Sequence, residues 1–279
     1  MRITRPTPSV RLLTLLGAAA VGLSVTAVTL PGEAGAASRH QQTRPTIVLE
    51  HGAFADASSW DGVVERLERA GYPVVAAANP LRGPASDAAH LRGVVQHIDG
   101  PVVLVGHSYG GTVISQAAAG LEDKVKALVY IAAFLPDAGE SSLGLTDKFP
   151  GSTLGDVIDP VNHTLPDGSR GADVYIAQDK FRKQFAADVP AGKARLMAAG
   201  QRPIAAAALE EKSTRAAWRT IPSWSLVTTE DLNIPVAAQR FMSDRAHART
   251  TEIDASHAVS VSRPGAVTRI VEQAARTVR

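Results

Sequence analysis

The sequence of 279 residues contains no cysteine, and this absence excludes several kinds of site. Thiol catalysis and cysteine-ligated metal centres are excluded, as is a lipid anchor attached to an N-terminal cysteine. No disulfide can form either, so the stability of the fold has to come from packing of its interior.

A strong excess of charge of either sign is also missing. The sequence has 29 lysines and arginines against 27 aspartates and glutamates. Three arginines and one glutamate fall within residues 1–36, so the rest of the chain carries 26 residues of each sign. No run of lysine and arginine stands out, and no basic patch is interleaved with aromatic residues. We therefore expect no nucleic-acid partner.

Residues 1–36 have the pattern of a secretory signal peptide. Three arginines precede an uncharged stretch, residues 12–30, and Ala34-Gly35-Ala36 is a cleavage site of the small-x-small type. A retained membrane anchor is the alternative, because 19 uncharged residues could nearly span a bilayer. Polar residues and glycines dilute its hydrophobicity, however, and Pro31 interrupts it. The leader therefore predicts a secreted or extracytoplasmic protein with no stable membrane association after signal cleavage.

After a polar linker, residues 37–45, segments with strand and helix character alternate along the chain. The predicted strands are Thr46–Glu50, Pro73–Ala77, Pro101–Val105, Val125–Ala132, Trp224–Thr228 and Thr250–Ile253. The predicted helices are Val63–Ala70, Ser86–His97, Gly110–Leu121, Val236–Arg245 and a last one after Pro264. This alternation, with nearly continuous apolar strands, predicts an α/β fold with a mostly parallel sheet of about six strands and helices on both faces.

The alternation is interrupted between about residues 137 and 220. Glycines and prolines punctuate the first part of this segment, and its second part, from Ala191 to Trp218, has the pattern of short helices. We interpret the segment as a helical lid inserted into one domain that spans residues 46–279. Ligands of open parallel sheets bind beyond the carboxyl ends of the strands, so the site is expected at that edge.

The segment Gly106-His107-Ser108-Tyr109-Gly110-Gly111 is the most informative motif in the chain. It lies between an apolar strand and a small-residue stretch of helical character, so its serine stands at a sharp strand-to-helix turn. Glycines on both sides permit the strained backbone of such a turn, which directs the hydroxyl towards the positive end of a helix. Gly-x-Ser-x-Gly alone is a common string, and an ordinary turn serine is the alternative. The flanking strand and helix make Ser108 a candidate nucleophile.

Three further features follow predicted strands. His51-Gly52-Ala53-Phe54 comes directly after the first strand, Asp231 closes the run that begins with the fifth, and His257 follows the sixth. The order serine, acid, histidine is that of α/β-hydrolases and differs from the two best-known serine protease folds. His257 is favoured over the other histidines because it alone follows the last strand at the site edge. We expect His51 to be buried and bonded to backbone, and His107 to point away from the nucleophile.

From Thr46 to its C-terminus the chain resembles a small α/β-hydrolase. The resemblance is carried by residues 48–54, Trp60, the serine motif and Asp254-Ala255-Ser256-His257. Within that superfamily the chain is similar to the branch containing plant methyl esterases, hydroxynitrile lyases and bacterial pyrethroid-type carboxylesterases. The resemblance implies a serine hydrolase with a helical cap and does not specify its substrate. We expect an enzyme that cleaves a small-molecule carboxylic ester and uses neither a cofactor nor a metal.

The resemblance also implies a catalytic triad of Ser108, Asp231 and His257. Asp231 is favoured as the acid because Asp-x-x-x-Pro after the penultimate strand recurs in these hydrolases. Asp137 is the rival, since some family members carry the acid after the earlier strand. In either case the acid orients the imidazole and stabilises its cationic form.

Backbone N–H groups of Ala53 and Tyr109 are the predicted oxyanion-hole donors, because rigid donors can be aimed at developing negative charge. Phe54 and Trp60 are candidate pocket-wall residues, with simple packing as the alternative. The lid contributes four further candidate pocket aromatics, namely Phe149, Tyr175, Phe181 and Phe185.

Departures from the family narrow the alternatives. Plant hydroxynitrile lyases carry a threonine and a lysine where this chain has Gly52 and Ala258, so the cation that would stabilise departing cyanide is missing. Ser108 excludes epoxide hydrolases and haloalkane dehalogenases, which need a carboxylate nucleophile. The remaining alternatives are a cofactor-free haloperoxidase or perhydrolase, another lyase, and a catalytically silent ligand-binding protein on the same fold. The sequence specifies no oligomeric state.

Overall fold

The computed structural model describes residues 44–278 of the chain. The strands are β1 (Thr46–Glu50), β2 (Val74–Ala77), β3 (Val102–His107), β4 (Val125–Ile131), β5 (Ile158–Thr164), β6 (Arg170–Ile176), β7 (Ile204–Ala205), β8 (Ser223–Thr228) and β9 (Arg249–Ile253). The α-helices are α1 (Asp61–Arg69), α2 (Pro84–His97), α3 (Tyr109–Ala117), α4 (Ser142–Asp147), α5 (Gln178–Phe185), α6 (Ala191–Gly200), α7 (Ala206–Glu210), α8 (Val236–Arg245), α9 (Val259–Ser262) and α10 (Pro264–Ala275). The predicted signal peptide and most of the predicted linker lie outside the described residues.

Six strands form one parallel sheet in the order β2-β1-β3-β4-β8-β9, which confirms the predicted α/β fold. The apolar sequences of the central strands suit a sheet that is covered on both faces, and all six residues of β3 are buried, whereas the polar edge strand β9 is mostly exposed. Successive side chains of β1 point to opposite faces, so Ile47 and Leu49 join one apolar cluster and Val48 joins the other. Helices α2 and α3 pack on the Val48 face, and α1 and α10 pack on the opposite face.

The carboxyl ends of the central strands lie level with one another. Glu50 of β1 pairs with Gly106 of β3, and Gly106 pairs with Tyr130 of β4. At the same edge Thr228 of β8 pairs with Ile253 of β9. The loop after β1, the turn into α3 and the segments after β8 and β9 therefore all leave the sheet at one edge.

The chain between β4 and β8 forms an insert that contains a second, smaller sheet. This sheet is antiparallel with the order β5-β6-β7, and α4 to α7 belong to the same insert. The predicted short helices of its second part are present, and the β5–β6 hairpin is an addition to them. Most side chains of β5 are exposed, so the alternation of apolar and polar residues that identifies a half-buried strand is absent from its sequence.

Within residues 44–278, no helix combines the length and the apolar character needed to cross a membrane.

Candidate active site

The serine of the strand-to-helix motif occupies a strained turn between β3 and α3. Ser108 has φ 54° and ψ −125°, in the positive-φ region that side chains disfavour. The flanking glycines make the close packing of this turn possible. A Cβ atom at Gly106 would lie 2.6 Å from the Gly110 carbonyl oxygen, and one at Gly110 would lie 2.5 Å from the Glu50 carbonyl oxygen. Both positions therefore require glycine.

Hydrogen bonds of the Ser108 backbone hold this conformation. Its N–H donates to the Ile131 carbonyl over 3.2 Å, and its carbonyl accepts from the N–H groups of Gly111 at 2.9 Å and Phe134 at 3.2 Å. A strained residue persists when its surroundings determine its position in this way. The Ser108 side chain is left to line a cavity at the carboxyl edge of the sheet, with 7% of the residue exposed.

Asp231 and His257 form a buried pair that faces the same cavity through the histidine. Asp231 follows β8 and His257 follows β9, and these two strands are neighbours in the sheet. His257 Nδ1 donates to Asp231 Oδ2 over 2.6 Å, which leaves Nε2 free to accept a proton. No direct hydrogen bond joins Ser108 Oγ to His257 in the described part of the chain. Such bonds are often long in unliganded enzymes and tighten when substrate binds.

Five hydrogen bonds, including the one from His257, fix the Asp231 carboxylate. Oδ1 accepts from the backbone N–H groups of Asn233 at 2.8 Å and Ile234 at 3.0 Å. Oδ2 accepts from Thr228 Oγ1 at 3.1 Å and from Gln239 Nε2 at 3.0 Å. Burial opposes ionisation, but the charge of His257 and these donors outweigh it and hold the pKa of Asp231 below its usual range. The acid is therefore a fixed carboxylate at neutral pH.

The rival acid lies elsewhere. Asp137 forms a two-point ion pair with the Arg219 guanidinium at the protein surface. Hydrogen bonds from that guanidinium lower the pKa of Asp137. The structure thus brings Asp231, and not Asp137, into contact with His257.

His107, which we expected to point away from the nucleophile, contacts the ring and the backbone carbonyl of His257. Its ring lies 4.7 Å from the His257 ring, centroid to centroid, and its Nε2 donates to the His257 carbonyl over 2.9 Å. Burial, reinforced by the charge of His257, lowers the pKa of His107 to about 3, so this imidazole is neutral. Only the folded arrangement reveals the contact, because 150 residues separate the two histidines in the sequence.

His51 stabilises the loop after β1 and, as expected, is buried and hydrogen-bonded to the backbone. The residue is fully buried, its Nδ1 donates to the Gly52 carbonyl over 2.9 Å, and its Nε2 accepts from the Asn79 N–H over 3.0 Å. Asn79 Nδ2 in turn donates to the His51 carbonyl over 2.8 Å. Burial lowers the pKa of His51, which keeps the ring neutral and able to accept.

The two predicted oxyanion donors line the same cavity as the serine. Tyr109 is the first residue of α3, so its N–H has no acceptor within the helix. In the described residues the Ala53 N–H makes no backbone hydrogen bond, whereas the next N–H, that of Phe54, donates to the Arg202 carbonyl over 2.9 Å. Phe54 has φ 61°, and the loop passes close to the serine, since a Cβ atom at Gly52 would lie 2.6 Å from Ser108 Cβ. The arrangement leaves both donors available to a ligand.

The cavity has a volume of about 430 Å³, which suits a small organic molecule. Ser108, His257, Ala53 and Tyr109 form its sheet side, and Phe54 lines it next to them. The insert supplies most of the remaining wall, which is predominantly apolar.

Of the four aromatic residues of the insert predicted to line the pocket, the structure places one at the cavity wall. Phe149 lines the cavity, whereas Phe181 and Phe185 are fully buried in the apolar core and Tyr175 does not line the wall. Phe185 instead packs edge-on against the His257 ring, at a centroid distance of 4.9 Å. The sequence could not separate these cases, because the local pattern around an aromatic residue does not tell whether its ring faces the core or a cavity.

Trp60 likewise packs away from the cavity. It is fully buried on the α1 face of the sheet, with its ring 6.2 Å from that of His107. Trp60 therefore belongs to the core that supports the site.

Glu50 is a buried carboxyl that the sequence motifs did not single out. It ends β1 directly before the His51 loop, is fully buried, and has no hydrogen-bond partner on either carboxyl oxygen. Burial, with a smaller contribution from the Asp87 carboxylate, raises the pKa of Glu50 to about 8. A glutamate that closes an otherwise apolar strand is the sequence signal that could have identified it.

Within residues 44–278 there is no cluster of three or more histidine, aspartate or glutamate side chains that could hold a metal ion.

Comparison of the sequence with known proteins agrees with the resemblance found in the motifs. The sequence profile of the alpha/beta hydrolase family matches residues 47–270. An alpha/beta hydrolase of Aspergillus novofumigatus is 26% identical over 252 residues, which cover 83% of this chain and 97% of that protein. A pyrethroid hydrolase of Sphingobium wenxiniae is 29% identical over 250 residues, which cover 78% of this chain and 83% of that protein.

The solved structures that resemble this chain share its fold. Polyneuridine aldehyde esterase superimposes with a TM-score of 0.72 at 22% identity, covering 82% of this chain and 98% of the esterase. A pyrethroid hydrolase from Sphingobium faniae has a TM-score of 0.67 at 23% identity, covering 83% of this chain and 97% of the hydrolase.

Proposed function

This chain belongs to the alpha/beta hydrolase family, and we propose that it hydrolyses small-molecule carboxylic esters through a Ser108-His257-Asp231 triad. The observation that carries the proposal is the buried Asp231–His257 pair, which faces one cavity together with the serine of a strained strand-to-helix turn. Relatives named as pyrethroid hydrolase and carbendazim-hydrolysing esterase support ester cleavage as the reaction class.

In the proposed acylation step His257 Nε2 removes the Ser108 hydroxyl proton while Oγ attacks the ester carbonyl carbon. The carbonyl π electrons move to its oxygen, and this oxyanion accepts hydrogen bonds from the N–H groups of Ala53 and Tyr109. When the tetrahedral intermediate collapses, the alcohol leaves with the proton that His257 carried. An acyl group remains on Ser108.

Deacylation repeats the sequence with water in place of the alcohol. His257 removes a proton from water, the hydroxyl adds to the acyl carbon, and the second intermediate releases the acid while the proton returns to Ser108. In both steps Asp231 keeps the Nδ1–H tautomer of His257 and stabilises its cation without becoming protonated. The lowered pKa of Asp231 is consistent with that role.

Covalent labelling tests this proposal without knowledge of the natural ester. An organophosphonate should label the protein at one site per chain, on Ser108, and Ser108→Ala should lose labelling and about four orders of magnitude of ester turnover. Ser115→Ala is the matched control, because it removes a buried hydroxyl from α3, the helix that follows Ser108, and Ser115 does not line the cavity. Equal turnover of the Ser108→Ala variant and the wild type would exclude the serine mechanism.

We also propose that the protein acts outside the cytoplasm, on the basis of the leader sequence of residues 1–36.

A further inference from the structure

Three carboxylates stand at the open end of the cavity. Asp147 ends α4, Asp156 ends the 3₁₀ turn Leu154–Asp156, and Glu210 ends α7, and all three line the cavity wall. Each of them is exposed, whereas Ser108 and His257 on the same wall are buried. The cavity therefore runs from a buried reacting end to a negatively charged mouth.

No basic side chain neutralises this mouth. Among the described residues none of the three carboxylates forms an ion pair, and no lysine or arginine lines the cavity. The ammonium of Lys148, which follows Asp147 in the chain, lies over the Phe241 ring at 4.1 Å. Four other carboxylates of the insert are paired, namely Asp137 with Arg219, Glu140 with Arg245, Asp173 with Arg82 and Asp179 with Lys180. Asp159, Asp167 and Glu211 form no ion pair among the described residues either, but they do not line the cavity. All three carboxylates at the mouth are therefore left without a neutralising partner.

The buried end of the cavity offers one polar group that lacks a protein partner, the Ser108 hydroxyl, and this residue is 7% exposed. Asn233 also lines the wall, but its unpartnered Nδ2 group is buried. Asn233 Oδ1 accepts from Gln184 Nε2 over 3.1 Å. Gln184 Nε2 also donates to the Leu232 carbonyl over 2.8 Å, so the nitrogen and oxygen of the Gln184 amide cannot be exchanged. Because this nitrogen is a donor, the Asn233 atom that it contacts has to be the oxygen. A ligand with its ester group at this end extends its remaining atoms towards the carboxylates.

We infer that the site selects esters by charge, favouring cationic over neutral and neutral over anionic substrates. The inference rests on the proposed ester hydrolysis and adds the substrate class to it. The mouth formed by Asp147, Asp156 and Glu210 attracts a cationic substrate and repels an anionic one. The apolar wall accepts the uncharged part of each substrate, whatever its charge. Hydrolysis also converts a neutral ester into an anionic acid. The same three carboxylates therefore promote departure of the product.

Three esters of one acyl group separate charge from shape. A choline ester, its uncharged 3,3-dimethylbutyl analogue and a 3-sulfopropyl ester carry a positive, a neutral and a negative alcohol of similar size. At low ionic strength we expect kcat/KM to fall in that order, with about tenfold or more between the first and the last. Added salt should narrow the range, because the charges at the mouth are exposed to solvent.

Two triple variants of equal net charge locate the effect. Asp147→Asn/Asp156→Asn/Glu210→Gln should reduce the ratio of cationic to anionic kcat/KM to within about twofold. The control Glu68→Gln/Asp99→Asn/Asp123→Asn neutralises three exposed carboxylates that do not line the cavity, and it should keep the wild-type ratio.

The results distinguish failure of the charge-selection inference from failure of the proposed ester hydrolysis. Equal rates for the three esters in the wild type, or equal collapse of the ratio in both triple variants, overturns charge selection at the mouth and leaves ester hydrolysis standing. Absence of turnover for all three esters, together with absence of phosphonate labelling at Ser108, overturns the proposed function and the inference with it.

Discussion

Replacing Glu50 should stabilise the protein at neutral and alkaline pH. The carboxyl is fully buried, and neither of its oxygens has a hydrogen-bond partner. Its desolvation, together with the nearby Asp87 carboxylate, raises the pKa of Glu50 from 4.5 to about 8. At neutral pH the folded protein therefore keeps a proton on Glu50 that the unfolded chain releases.

The size of the effect follows from the two pKa values of Glu50. Below pH 4.5 the carboxyl is protonated in both states, and its ionisation has no effect on stability. Between pH 4.5 and about 8 the unfolded chain ionises while the folded protein does not, so the free energy of unfolding falls as pH rises. Each pH unit costs about 1.4 kcal/mol, which gives a loss of about 3 kcal/mol at about pH 7. Above the folded pKa the loss levels off.

Urea denaturation of the wild type and Glu50→Gln, from about pH 5 to about pH 9, measures this loss. The variant's free energy of unfolding should rise relative to that of the wild type by about 1.4 kcal/mol per pH unit until the pH approaches about 8. Glu50→Leu should give the same slope without a buried amide. Glu68→Gln, which removes an exposed carboxyl, is the control and should leave the pH profile unchanged.

Other buried titratable groups do not alter the difference in unfolding free energy between the wild type and the Glu50 variants. The lowered pKa values of His51 and His107 reduce stability as pH falls, because the unfolded chain protonates these rings first. That effect is common to the wild type and the Glu50 variants, so it cancels in their difference. Parallel pH profiles for the wild type and Glu50→Gln would refute the burial argument.

Three further predictions concern the triad, the cavity wall and the leader. Asp231→Asn should lower kcat by about ten-thousandfold through the wrong histidine tautomer, while Asp137→Asn stays near wild type in the same steady-state assay; the reverse result would assign the acid to the earlier strand. Phe149→Ala should redistribute kcat/KM across 4-nitrophenyl esters of increasing acyl length by about 1–3 kcal/mol, and an equal reduction for every ester would make Phe149 a purely structural residue. N-terminal sequencing of secreted protein should begin at Ala37 or Ser38, whereas an intact N-terminus in the membrane fraction would indicate a retained anchor.

The parallel sheet and the positions of the candidate site residues could be predicted because their signals are local. An apolar run followed by a helical pattern identifies a strand and its crossover, and parallel strands direct their carboxyl ends to one edge. Ser108, Asp231 and His257 each follow such a strand, so their approach to one another depends only on the strand order. The glycines around Ser108 could be recognised from the local motif, and the structure supplies the reason for them, since their backbones pass too close to other segments for a side chain.

The tertiary structure decided what depends on packing between distant segments. The contact of His107 with His257, the division of the insert's aromatics between core and cavity, and the unpaired carboxylates at the cavity mouth all arise from elements far apart in sequence. No periodic pattern encodes such contacts, because the same amphipathic helix can turn its apolar face to a core or to a ligand. Glu50 shows the limit most clearly: the sequence places a carboxyl at a strand end, and only the surrounding fold removes every partner from it.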